Sequence, residues 1–205
     1  MSPYVILMLA VIILTLALSY YLSNRGKANG EKLAALLAKG DFKTFDAYCQ
    51  DEKFVKQIQP FTLDYLKLNS YLLRSDKKKT EAVFEKLQKA NLNRDQRRDV
   101  ALKGFAYYLG LDDKQNTKYY LEEMEKTLVS EDILNNSRMY YDIIYEKKTD
   151  MLDSLLEECE QLEGEERAGN EQLIAIIYKN LGDDKKAREY ERRSRKDLGI
   201  KGEKK

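Results

Sequence analysis

Apolar residues are distributed along this chain in two ways. Residues Tyr4 to Leu18 read YVILMLAVIILTLAL, an apolar run that only Thr15 interrupts. Extended through Leu22, the run is about 20 residues long, enough to cross roughly 30 Å of hydrocarbon as a helix. Tyr4 at one end and Tyr20 and Tyr21 at the other suit the headgroup level, and Pro3 suits a first helical turn. Beyond Asn24 the apolar positions instead recur at helical spacing. Stripes are formed by Ala82, Val83, Phe84 and Leu87, by Tyr120, Leu121, Met124 and Leu128, and by Ala187 and Tyr190. Helical patterns also cover 61–73, 97–109, 137–145 and 170–181.

Between these helices a turn-like dipeptide recurs: Gly40-Asp41, Ser75-Asp76, Leu111-Asp112, Thr149-Asp150 and Gly182-Asp183. The aspartates are 35, 36, 38 and 33 residues apart. Tyr71, Tyr107, Tyr145 and Tyr178 each lie five residues before one of them, and Leu36 takes that place in the first unit. A large residue, one helical turn and then an Asp predict a helix ending in a tight turn whose Asp caps the next helix. One such helix pair cannot bury its apolar stripe alone, so neighbouring pairs must stack. The four tyrosines are expected to pack between helices.

A helix pair of this length, with a late aromatic in its first helix and Gly-Asp at its turn, resembles the tetratricopeptide repeat. Residues 174–190, IAIIYKNLGDDKKAREY, carry the match most fully, through Tyr178, Gly182, Asp183, Ala187 and Tyr190. Gly104 and Tyr107 match the family's small-then-aromatic pair. The resemblance spans roughly Glu31 to Leu198. It departs from the family in having no Trp, no Pro closing the units, and Leu68 and Asp142 where a small residue is expected. The predicted fold is all-α: an N-terminal transmembrane helix, then an α-solenoid of about five helix-turn-helix repeats. The divisions are an anchor at 1–23, a flexible linker at 24–30, the repeat domain at 31–198 and a basic disordered tail at 199–205.

Composition narrows the chemistry. There is no His, which removes the commonest general base, the commonest transition-metal ligand and every Ser-His-Asp or Cys-His arrangement. Cys49 and Cys159 form no paired motif and read as small apolar residues. Neither GxGxxG, GxxxxGK, HExxH nor an EF-hand loop occurs. No catalytic residue, metal site or cofactor is therefore expected. The 36 Lys+Arg and 35 Asp+Glu all follow Asn24 and leave a net charge of +1, which argues against nucleic acid as partner. Residues 150–171 hold nine acids and one base, Arg167, and read as a solvated face.

Basic residues follow the apolar run (Arg25, Lys27, Lys32, Lys39, Lys43) and none precedes it. The positive-inside tendency then places the repeat domain in the cytoplasm, as a single-pass protein of the cell membrane held by residues 4–22. A cleaved signal peptide is the competing reading, because Ala17-Leu18-Ser19 is a small-x-small site, although residues 1–4 lack the basic residues such a peptide carries. The resemblance implies a concave face lined by first helices. Helical phase places Tyr65, Asn69, Arg98, Phe105, Tyr140, Gln172 and Lys179 on it. The expected function is a tethered adaptor gripping protein or peptide partners there. A membrane-bound RNA-binding repeat and an extracytoplasmic adaptor are the alternatives.

Overall fold

A computed structural model describes residues 25–199 apart from Leu128. The expected anchor at 1–23, and all of the expected tail but Gly199, lie outside the described residues. Among the described residues every regular element is a helix, and none is long and apolar enough to cross a membrane. The helices are α1 (25–38), α2 (Phe42–Gln50), α3 (Glu52–Val55), α4 (Pro60–Leu73), α5 (Lys77–Gln88), α6 (Arg94–Gly110), α7 (Lys114–Lys126), α8 (Glu131–Tyr145), α9 (Leu152–Gln161), α10 (Gly164–Asn180) and α11 (Asp184–Asp197). The repeat region expected as one domain divides into two compact units, Met1–Val100 and Ala101–Lys205, with the division inside α6.

One turn is built four times. Gly40, Ser75, Asp112 and Gly182 adopt left-handed φ angles of 69°, 55°, 56° and 79°. Each is followed by an Asp whose backbone N–H reaches back five residues: Asp41 to Leu36 O, Asp76 to Tyr71 O, Asp113 to Tyr108 O and Asp183 to Tyr178 O. This 6→1 bond, together with the left-handed residue, closes the carbonyl end of the first helix. The same Asp then caps the next helix. Its carboxylate accepts from the backbone N–H of Thr44, Lys79, Asn116 or Lys186 at 3.0–3.2 Å. Four residues past each cap the chain dives inward, to Phe45, Thr80, Thr117 and Ala187, none more than 1 % exposed.

Two of the predicted turns are corrected. At the third, Asp112 occupies the left-handed position and Asp113 is the cap, one residue later than expected. At the fourth, Thr149-Asp150 is not this turn: Lys147 is left-handed, and α9 starts behind Met151 with no side-chain cap. The tyrosines divide accordingly. Tyr178 is buried at 7 % and Tyr108, not Tyr107, at 4 %, whereas Tyr71, Tyr107 and Tyr145 are half-buried.

In the first unit, Leu33, Leu37, Phe45, Ile58 and Leu66 form the core. The expected flexible linker is corrected too, because residues 25–30 are helical and belong to α1. Gly26 and Gly30 serve close packing there. A Cβ on Gly26 would lie 2.4 Å from the Gln57 carbonyl oxygen, and one on Gly30 3.3 Å from Thr62 Cγ2. Arg74 at the end of α4 ties it to α2, donating to both Asp46 carboxylate oxygens at 2.8 and 3.1 Å and to Ser70 Oγ at 2.8 Å. Asn93 and Gln96 open α6 with reciprocal bonds, each side chain accepting from the other's backbone N–H.

In the second unit, Gly104 lets α7 approach: a Cβ there would meet the Tyr120 ring at 2.6 Å. The Tyr120 ring stacks on Tyr108 at 5.6 Å. A second cluster joins Ile143 of α8, Leu155 of α9, Leu173, Ile174, Ile177 and Tyr178 of α10, and Ala187 of α11.

Candidate partner-binding site

In the first unit the structure brings together part of the predicted surface. Tyr65 of α4 stacks on Phe61 at 5.4 Å, one helical turn away. Burial, and then the charge of Asp99 on α6, push its hydroxyl up to about 12. Arg98 lies beside that aspartate, with Nε 3.8 Å from Asp99 and Nη1 3.1 Å from Asp95. Asn69, one turn after Tyr65, is half-buried. These side chains present an aromatic and a guanidinium together, a combination enriched where proteins bind one another.

Phe105 does not belong to the surface; it is 7 % exposed. The cause is the displaced third turn. Taking Tyr107 as the inward aromatic misplaces the buried face of α6 by one residue, about 100° of helix. The buried face in fact runs Val100, Ala101, Gly104, Phe105 and Tyr108. In the second unit, Gln172 and Lys179 lie seven residues apart on one side of α10, and both are exposed. Lys179 pairs with Glu191 of α11. Tyr140 of α8 is half-buried against the core, its hydroxyl 3.8 Å from where a Cβ on Gly169 would stand.

Two cavities were missed by the sequence reading. The first, of about 470 Å³, runs along α1 between Gly26, Gly30 and Ala34 on one side and Gln57, Thr62 and Leu66 on the other. A flexible joint at 24–30 would leave no wall for it. The second, of about 520 Å³, opens between α9, α10 and α11. Its lining includes Leu156, Cys159, Glu160, Glu171, Tyr190 and Arg193, together with Arg167, Lys196 and Asp197. Arg167 Nε donates to Asp197 Oδ2, and that bond holds the Asp197 carboxyl below the usual range. Arg193 pairs with Glu189 at 2.7 Å, its guanidinium 4.8 Å from the Tyr190 ring centre.

Glu171 is the unusual member of this cleft. It is 5 % exposed, and its Oε2 has no hydrogen-bond partner. Burial, followed by the Asp197 charge, raises its pKa, while Arg167 and Arg193 act in the opposite sense. The Cys159 thiol is also pushed up by burial, so it is no reactive thiolate. Sequence carried one signal of Glu171: it stands between Ala168 and Ala175 on the buried stripe that ends at Tyr178. A carboxylate on an apolar stripe differs from the exposed Glu157, Glu158 and Glu160 nearby.

Among the described residues no group of His, Cys, Asp and Glu is placed to hold a metal ion. No protein-family model, curated protein or solved structure matches this chain.

Proposed function

We propose that this protein is a membrane-tethered adaptor of the tetratricopeptide-like kind, whose first-helix surfaces bind protein or peptide partners. One observation carries the reading: four turns of identical hydrogen-bonding pattern, at Asp41, Asp76, Asp113 and Asp183, join paired helices. The cap spacings are 35, 37 and 70 residues, the last being twice the first. A repeated helix pair of this kind offers contact surface rather than a reaction centre. The tether rests on the uncharged run at 4–22, and the cytoplasmic placement on the basic residues that follow it. Tethering raises the effective concentration of a bound partner at the bilayer.

Two measurements test it. Full-length protein should resist alkaline extraction from membranes, while the full chain carrying Val11→Lys and Leu14→Lys should be released; release of both discards the tether. Cross-linking in membranes should then capture a partner that the Tyr65→Ala/Asn69→Ala/Arg98→Ala variant loses while keeping its helical circular dichroism. Equal capture by the triple variant removes this surface from the proposal.

A further inference from the structure

We propose that the cleft between α9, α10 and α11 receives a basic side chain, lysine or arginine, from a bound peptide, with the Glu171 carboxylate accepting its hydrogen bond. Buried polar atoms almost always have partners, and a bare buried carboxylate oxygen costs more than most. Glu171 Oε2 has none, and its residue lines an open cleft of about 520 Å³. A donor arriving from outside supplies the missing bond.

The charges select which donor. The cleft is faced by Cys159 and Glu160 from α9, by Arg167 from α10 beside Glu171 itself, and by Tyr190, Arg193, Lys196 and Asp197 from α11. The two guanidiniums are already engaged, Arg167 by Asp197 and Arg193 by Glu189. Glu160 and Lys196 are both exposed at the rim, and Lys196 acts on Asp197. Arg167 and Arg193 act on Glu171 through space, but neither donates to its bare Oε2, and an incoming cation supplies that contact. Leu156 and Tyr190 supply apolar wall for the methylene stem of such a side chain.

The site lies in the second unit, apart from Tyr65, Asn69 and Arg98, and rests on the adaptor reading only in taking a peptide as its ligand. The test uses the full chain in detergent micelles, with 13C-methyl NMR of Leu156 and three capped tripeptides, Ala-Arg-Ala, Ala-Gln-Ala and Ala-Glu-Ala. The arginine peptide should bind in the roughly millimolar range expected of one side chain. Glu171→Gln should weaken it at least about tenfold, and Arg193→Gln, which removes an opposing cation, should tighten it. A folding defect would not produce that opposite pair. Binding should also weaken as pH falls through the raised pKa of Glu171, because the protonated acid no longer attracts a cation.

Equal binding of the three peptides, or no response to Glu171→Gln, overturns the proposal. Spermidine binding as tightly as the arginine peptide overturns the peptide and assigns the cleft to free amines. The Tyr65→Ala/Asn69→Ala/Arg98→Ala variant should titrate like wild type, so loss of its membrane partner and failure of the cleft are separate results.

Discussion

Two junctions in the second unit share one Tyr-to-Asp spacing and end differently. Both have a Tyr late in the first helix and an Asp five residues on: Tyr178 and Asp183 between α10 and α11, Tyr145 and Asp150 between α8 and α9. In the first, three residues join the helices, Gly182 takes the left-handed turn, and Asp183 both closes α10 and caps α11. In the second, six residues intervene. Lys147 turns left-handed, and the Lys148 N–H bonds to Asp142 O, six residues back rather than five. The residue that follows the left-handed turn is then a lysine, whose side chain donates to Asp142 Oδ2 at 2.7 Å and has no acceptor to offer the next helix. Asp150 is left outside the cap. The dual role of Asp thus depends on its falling immediately after the left-handed residue. Where it does not, the next helix is held by packing, through Leu155 at 1 % exposure.

Measurements that break or sharpen this contrast can be ranked by size. If α9 is held by packing, Leu155→Ala should cost about 2–5 kcal/mol in urea unfolding, and a loss below about 1 would refute that account. Gly104→Ala tests a helix pair closed by the regular turn, α6 and α7. The added methyl meets the buried Tyr120 ring, and overpacking of this kind costs about 1–3 kcal/mol, read as a lower unfolding midpoint. The junctions themselves are compared by Asp183→Ala, expected to cost about 1 kcal/mol, and Asp150→Ala, expected to stay within about 0.5. Equal losses would show that Asp150 caps after all.

The smallest effect is one of pH. The hydrogen bond from Lys79 holds the Asp76 carboxyl below its ordinary value. Its contribution is therefore complete above the unfolded value of about 3.9 and is lost as pH falls through the lower folded value. The gap in urea midpoint between wild type and Asp76→Ala should be constant from pH 7 to 5 and narrow below about pH 4. Glu171 runs the other way. Its raised folded pKa means that ionisation opposes folding above the unfolded value, so Glu171→Gln should raise the melting temperature at pH 7.

Much of this was legible in the sequence because turns are local. The five-residue offset between Leu36, Tyr71 or Tyr178 and the following Asp is the span of the 6→1 bond, which six consecutive residues suffice to build. Adjacent Asp112 and Asp113 leave the sequence ambiguous by one residue, since either could cap and only the backbone shows which is left-handed. That one residue decides which face of α6 is inside, and with it the burial of Phe105. By sequence Gly26 and Gly30 suit a flexible joint and close packing equally; Gln57 and Thr62, some thirty residues away, decide between them.

The amino-acid order alone thus determined the all-helical class, the repeated capped turn and the separation of an uncharged segment from a charge-rich remainder, since periodicity and capping act over a few residues. Tertiary structure alone decided which face of α6 is inside, how α9 is held, and that Glu171, unlike its exposed acidic neighbours, is buried at a cleft with one carboxylate oxygen unpartnered. Burial is a property of what packs from elsewhere in the chain, and a carboxylate acquires unusual chemistry only when other helices remove its water.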